Sequence, residues 1–178
     1  MATILLARHG ETDWNREGRW QGWADPPLND TGRAQARTLA AELRELPFDA
    51  VYSSDLKRAH ETAEILAAPH GVPVIVDPEL REVDVGSWSG LTRAEIEERF
   101  PDGERPDGET REQHFGRVRA AVLRIARENE GRRVLVVTHG GTVRAIHDLI
   151  SEEPWHPVEN CGVLEVHFRD DRLSAPIG

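Results

Sequence analysis

The chain has 178 residues, enough for one compact domain built around a buried sheet. With 38% hydrophobic and 30% charged residues and no apolar run near the ~20 residues of a membrane span, the composition excludes a membrane-spanning or disordered protein. A formal net charge of −10 argues against a general nucleic-acid or anionic-membrane surface, since either needs a basic face.

Thr3 to Arg8 is a short apolar run ending in a glycine-containing loop, and it predicts a buried strand whose carboxyl end falls at Arg8-His9-Gly10. The run carries no basic lead and is too short for a signal peptide, so the expected location is cytoplasmic. Asn29 to Leu46 predicts a helix with Leu39, Leu43 and Leu46 as its apolar stripe and Pro47 as its stop. Asp49 to Ser53 predicts the second strand. Ser54 or Asp55 then caps a helix reaching about Ala68, with Arg58 in its first turn. Val72 to Val76 is a third strand.

Thr92 with Glu95, and Thr110 with Gln113, have the spacing of capping boxes and predict two helices before Asn129. Between them lies a polar, turn-rich loop, Pro101 to Gly108, placed to cover a site. Arg133 to Thr138 predicts a fourth strand, covered on both faces and ending at His139-Gly140-Gly141. A helix from Thr142 to about Ser151 follows, and Leu164, Val166 and Phe168 alternate with polar residues as in a last, half-exposed strand. Strands alternating with helices predict an α/β three-layer sandwich with a central, mostly parallel sheet. The expected organisation is a single domain over 1–178, with 91–115 as a short helical and loop insertion over the active site.

In open α/β sheets ligands collect at the carboxyl ends of strands. Two predicted strands each deliver a His-Gly there, His9-Gly10 and His139-Gly140. Glycine beside each histidine lets the backbone approach a ligand, and the helix starts near Arg58 and Thr142 offer unpaired N–H groups to an anion. Phosphate is the natural guest.

Arg8-His9-Gly10-Glu11-Thr12-Asp13-Trp14-Asn15 resembles the signature of the histidine phosphatase superfamily, in its phosphoglycerate-mutase-like branch. The resemblance continues through Gln21-Gly22-Trp23-Ala24-Asp25-Pro26-Pro27-Leu28, Ser53-Ser54-Asp55-Leu56-Lys57-Arg58-Ala59, Leu80-Arg81-Glu82, Pro106-Asp107-Gly108-Glu109-Thr110 and Val137-Thr138-His139-Gly140-Gly141. It implies a metal-independent phosphatase with no cofactor, acting on a small phosphorylated metabolite, as a monomer or homodimer. His9 is then the nucleophile that forms phosphohistidine, and Glu82 the proton donor. Arg8, Arg58 and His139 complete the catalytic set. Phosphate-binding positions are Arg8, Asn15, Gln21, Gly22, Arg58, His139 and Gly140.

The residue types suit that chemistry. Guanidinium forks match phosphate oxygens bidentately and stabilise charge as it redistributes. His9 attacks through a neutral ring nitrogen, helped by cations that lower its pKa, and a neighbouring glycine carbonyl is a plausible partner for the other nitrogen. Glu82 can protonate a leaving alkoxide only if it holds a proton above the ordinary ~4.3 of glutamate. Glu11 is a rival acid by proximity in sequence.

The other six histidines, His60, His70, His114, His147, His156 and His167, show no metal-binding spacing. A serine hydrolase would need Gly-x-Ser-x-Gly and a dinucleotide fold Gly-x-Gly-x-x-Gly, and neither occurs. A phosphoglycerate mutase is the nearest alternative, and it needs basic residues for a second anionic group. The segment Arg93 to Phe115 holds four arginines against eight acidic residues, which favours hydrolysis. A non-catalytic phosphate-binding regulatory module is the other alternative. Trp14, Trp20, Trp23 and Trp88 lie in or near the motif blocks, as packing residues or as lining of the pocket mouth. Cys161, the only cysteine, rules out an internal disulfide and is expected to pack.

Overall fold

A computed structural model describes residues 1–176 of the chain. Its first strand, β1 (Ala2–Arg8), alternates between two cores. Ile4 and Leu6 face one cluster of buried residues, and Leu5 and Ala7 face the other. The first cluster takes Val118, Val122 and Ile125 from α5 (Arg111–Glu128) and Val143 and Ile146 from α6 (Gly140–Ile150). The second takes Leu39 and Ala40 from α2 (Asp30–Glu42) and Ala59, Ala63 and Leu66 from α3 (Lys57–Ala67). Helices therefore cover both faces of the sheet, and each fully buried Leu, Ile or Val contributes about 1.5–3 kcal/mol.

The remaining strands are β2 (Ala50–Ser53), β3 (Val74–Val76), β4 (Arg133–Thr138), β5 (Val163–Arg169) and β6 (Arg172–Ser174). They join β1 in the order β3-β2-β4-β1-β5-β6. The first four run parallel, while β5 and β6 are antiparallel. The chain leaves a gap between β1 and β2 that β4 later fills. That reversal of strand order brings three carboxyl ends together.

Both predicted capping boxes form, at α4 (Arg93–Arg99) with Thr92 and Glu95, and at α5 with Thr110 and Gln113. Other boundaries differ for identifiable reasons. Helix α2 ends at Glu42, short of Leu46, and the intervening residues turn before Pro47. Neither Ser54 nor Asp55 caps α3, whose N-cap is Leu56. Asp55 instead accepts from Arg81 Nε at 2.7 Å. Helix α6 starts at Gly140, two residues early, with His139 as N-cap. A short helix α1 (Asp13–Arg16), capped by Thr12 and Asn15, was not expected, nor was β6. The β5–β6 hairpin turns on Asp170 and Asp171, both at positive φ, where Asp-Gly or Asn-Gly would have announced it.

Thr110→Ala removes the α5 cap bond to Gln113 N–H at 3.1 Å. The expected result is a loss of about 1 kcal/mol in urea unfolding, with the native fold retained.

Candidate active site

Parallel pairing sets the site. Arg8 of β1 lies opposite Thr138 of β4, and Ser53 of β2 lies opposite Val137. The residues that follow, His9, His139 and Ser54, leave the sheet at one end. The two imidazoles meet edge to face with ring centres 5.2 Å apart.

His9 is held in one tautomer. Its Nδ1 donates to the Gly10 carbonyl at 2.7 Å, and Arg58 donates its Nε–H to His9 Nε2 at 3.3 Å. A nitrogen that accepts from a guanidinium carries no proton, so Nε2 keeps its lone pair. Burial first, and then the Arg58 charge, hold the imidazole well below the usual histidine range, against the opposing pull of the Gly10 bond.

Arg58 is only 1% exposed. Its Nη1 donates to Ala24 O at 2.7 Å and its Nη2 to Gly22 O at 2.8 Å. Burial pulls its pKa down to about 10, leaving it a cation at neutral pH, with Glu82 and Asp25 acting to raise it. Gly22 adopts φ 50°, and a Cβ there would stand 2.9 Å from the Val85 nitrogen, so the turn that offers its carbonyl to Arg58 needs glycine.

Arg8 donates Nη1 to Val158 O at 2.7 Å, while its Nε is buried without a partner. Ser54 Oγ accepts Leu56 N–H at 3.2 Å and lies 2.9 Å from His139 Nε2. His139 Nδ1 is also buried without a partner. Arg8 Nε is thus a buried donor left unsatisfied. Such donors are costly, and anion oxygens are their natural complement.

Glu82 reaches the same place from the loop after β3. Its Oε2 accepts Gly141 N–H at 3.0 Å and its Oε1 accepts Val83 N–H at 2.9 Å. A side chain at Gly141 would strike this carboxylate. The start of α6, expected to offer its N–H groups to a bound anion, gives the Gly141 N–H to Glu82. Asn15 Oδ1 accepts from Thr12 N–H at 3.1 Å, and Gln21 Oε1 accepts from the Thr12 hydroxyl at 2.9 Å. The amide NH2 of each remains as the group to face a ligand.

Arg8, His9, Asn15, Gln21, Gly22, Arg58, Glu82 and Gly140 all border one cavity of about 590 Å³. His139 does not border it; it sits behind His9 with no exposed surface. Glu11 is also outside the lining, and its carboxylate accepts from Asn29 Nδ2 at 2.8 Å.

Sequence reasoning missed several neighbours. Arg105, Arg111 and Arg144 line the cavity with Phe115 and Trp155. The acid-rich count over 93–115 therefore misjudged the site: none of that segment's eight acidic residues lines the cavity, whereas two of its four arginines do. Arg111 and Arg144 share Asp148, at 2.9 and 3.6 Å, so one positive charge remains in excess there. Of the four tryptophans in question Trp20 lines the cavity, and Trp88 packs on it at 5.5 Å between ring centres. Trp23 supports Glu82 from outside, donating to its backbone carbonyl at 2.8 Å. Asn160 Nδ2 donates to His9 O at 3.0 Å, and Cys161 N–H to Arg8 O at 3.0 Å. His114 lies with its Nε2 3.9 Å from Glu82 Oε1. Only its spacing from Val118 and Val122 hinted at an inward position.

Among the described residues, no group of three or more His, Cys, Asp or Glu side chains is placed to hold a metal ion. No helix among them is long and apolar enough to cross a membrane.

His9, His139 and His114 are all held below 6.5 in the folded chain, with burial the largest cause in each. The unfolded chain takes up their protons near pH 6.5, so unfolding binds protons below that pH. Their contribution to stability is complete above 6.5 and is lost as pH falls toward the lowered folded values. Urea midpoints at about pH 7.5, 6 and 5 are expected to decline over this range. The decline precedes protonation of Asp55, which its Arg81 hydrogen bond holds below 3.8.

The sequence profile of the histidine phosphatase superfamily (branch 1) matches residues 4–175. The metal-independent phosphoserine phosphatase of Arabidopsis thaliana is 40% identical over 185 residues, covering 95% of this chain and 77% of the relative. Phosphoglycerate mutase-like protein 4, also of Arabidopsis thaliana, is 41% identical over 161 residues, covering 83% of this chain and 70% of the relative. Among solved structures, Bacillus stearothermophilus YhfR matches with a TM-score of 0.92 and 32% identity, covering 99% of this chain and 96% of that one. With the paired strand-end histidines, the buried arginine and a match over nearly its whole length, the chain belongs to the histidine phosphatase superfamily.

Proposed function

We propose that this protein hydrolyses small-molecule phosphate monoesters through a covalent phosphohistidine on His9, with Glu82 as proton donor. The observation that carries this reading is the tautomer of His9. Nδ1–H is bound to Gly10, and the lone pair of Nε2 meets only the Nε–H of Arg58. A phosphate dianion is a better acceptor for that N–H than an imidazole, so its arrival releases Nε2 for in-line attack.

Arg8 and Arg58 neutralise the equatorial oxygens, and Arg8 Nε gains the acceptor it lacks. As the P–O bond breaks, Glu82 gives its proton to the departing alkoxide; the carboxylate then takes a proton from the water that attacks phosphohistidine. No step calls for a metal or cofactor. The natural partner is a small phosphorylated metabolite in the cytoplasm, with the chain as monomer or homodimer.

A mutase reading has one observation in its favour, the basic mouth formed by Arg105, Arg111 and Arg144. The same arginines suit hydrolysis of an ester whose leaving group bears a second acidic group. Incubation with a phosphoglycerate separates the two: release of inorganic phosphate without isomerised product marks the hydrolase.

His9→Ala is expected to lose activity by about a thousandfold or more. Acid quenching of the wild-type protein during turnover is expected to trap an acid-labile, alkali-stable phosphate on His9, and EDTA is expected to leave the rate unchanged. Full activity in His9→Ala would overturn the mechanism and leave a non-catalytic or differently catalysed role. Arg111→Ala, removing one charged hydrogen bond, is expected to raise KM about tenfold for an ester with a second acidic group. For p-nitrophenyl phosphate the change is expected to stay under about twofold.

A further inference from the structure

His114 has no part in the scheme above, yet its placement is unusual. It occupies the first turn of α5 on the same stripe as Val118, Ala121, Val122 and Ile125, and it is 2% exposed. An aliphatic side chain would fill that position without burying a polar ring. The imidazole has one weak polar contact there, Nε2 to Thr142 Oγ1 at 3.4 Å. The Thr142 hydroxyl donates its own proton to Arg81 O at 3.1 Å. Its oxygen therefore receives from His114, which puts the imidazole proton on Nε2. That same nitrogen lies 3.9 Å from Glu82 Oε1, and the ring borders the cavity.

We infer that His114 is the proton conduit of Glu82, a positioning residue that carries protons between cavity water and the carboxyl group. The inference rests on the reading of Glu82 as proton donor. A bound ester fills the space in front of Glu82, whose side chain is only 18% exposed without it. The path through His114 lies beside the substrate.

In the loading step a water or buffer acid protonates Nδ1. The Nε2–H bond breaks as its proton passes to Glu82 Oε1, across a gap that a shift of about 1 Å closes to hydrogen-bond distance. His114 is left neutral with its proton on Nδ1, and the conjugate base stays in solvent. Glu82 spends that proton on the leaving alkoxide and regains one from the attacking water. After phosphate departs, the reverse transfer returns it to solvent, so no net proton remains on the protein.

The charges around the ring are Glu82, Glu109, Arg117 and Arg105, with His139 behind. Burial, the largest influence, keeps the imidazole neutral near pH 7, as a conduit requires.

The test compares an alkyl phosphate, whose alkoxide needs a proton, with p-nitrophenyl phosphate, whose phenolate leaves without one. Single-turnover phosphorylation is measured for wild type, His114→Gln, His114→Ala and Glu82→Gln. The two His114 variants are expected to lose about tenfold or more on the alkyl ester and under about twofold on the aryl ester. Added imidazole is expected to restore His114→Ala on the alkyl ester in proportion to its concentration.

Equal losses on both esters without rescue, or no loss on either, would overturn the conduit. Glu82→Gln separates the two levels: if it shows no dependence on leaving group, the reading of Glu82 fails; if it does while the His114 variants do not, only the conduit fails. Nitrogen-15 spectra of the unaltered protein near pH 7 give a check that needs no variant to fold. They are expected to show His114 protonated at Nε2, and a resting Nδ1–H tautomer or imidazolium would refute the assignment.

Discussion

The site depends on a permanent cation buried against a neutral imidazole. Arg58 is almost wholly removed from water, and its guanidinium is satisfied by two backbone carbonyls and the lone pair of His9. Burying a guanidinium without a carboxylate in direct contact is costly, and the fold offsets this with the Gly22–Ala24 turn. Burial, and then the same cation, keep protons off His9. One charge thus keeps the Nε2 lone pair of His9 free of a proton and leaves the pocket with an unmet demand for anions. The unpartnered Arg8 Nε adds to that demand.

Around this centre the fold supplies position at little conformational cost. His9 and His139 adjoin because Arg8 pairs with Thr138 in a parallel ladder, so neither needs a loop to carry it inward. Glu82 comes from an irregular segment and is correspondingly tied down. Backbone N–H groups hold both its oxygens, and Arg117 Nη2 and Trp23 Nε1 both donate to its main-chain carbonyl. Proton transfer at a fixed point, the role proposed for Glu82, needs such restraint more than carrying charge does.

Much of this was legible in the sequence, and the boundary of legibility has a physical basis. Buried runs such as Val134 to Val137 and the Thr110–Gln113 cap are local signals, and they gave the strands and helices nearly as observed. The His9, Arg58 and Glu82 constellation was readable because each sits in a distinctive run of neighbours. What escaped was set by contacts distant in sequence. Asp55 left its expected capping role because Arg81 lies beside it, and Gly141 N–H was taken by Glu82. Counting charges over 93–115 could not reveal which way Arg105 and Arg111 turn. His114 looked like any isolated histidine until α5 was laid against the loop of Glu82.

The anchoring of Arg8 and His9 by Val158, Asn160 and Cys161 has a bearing on how the protein comes to be. The Arg8–Val158 bond joins residues 150 apart in sequence. Closing a chain segment of that length costs roughly 4 kcal/mol of entropy before any contact repays it. The main chain at His9 is thus secured by residues synthesised about 150 positions after it. A nascent or cleaved fragment lacking residues 158–162 keeps every charged group of the pocket but not the frame that aligns them. The pocket is therefore completed late in folding, after β4 and β5 have closed on either side of β1.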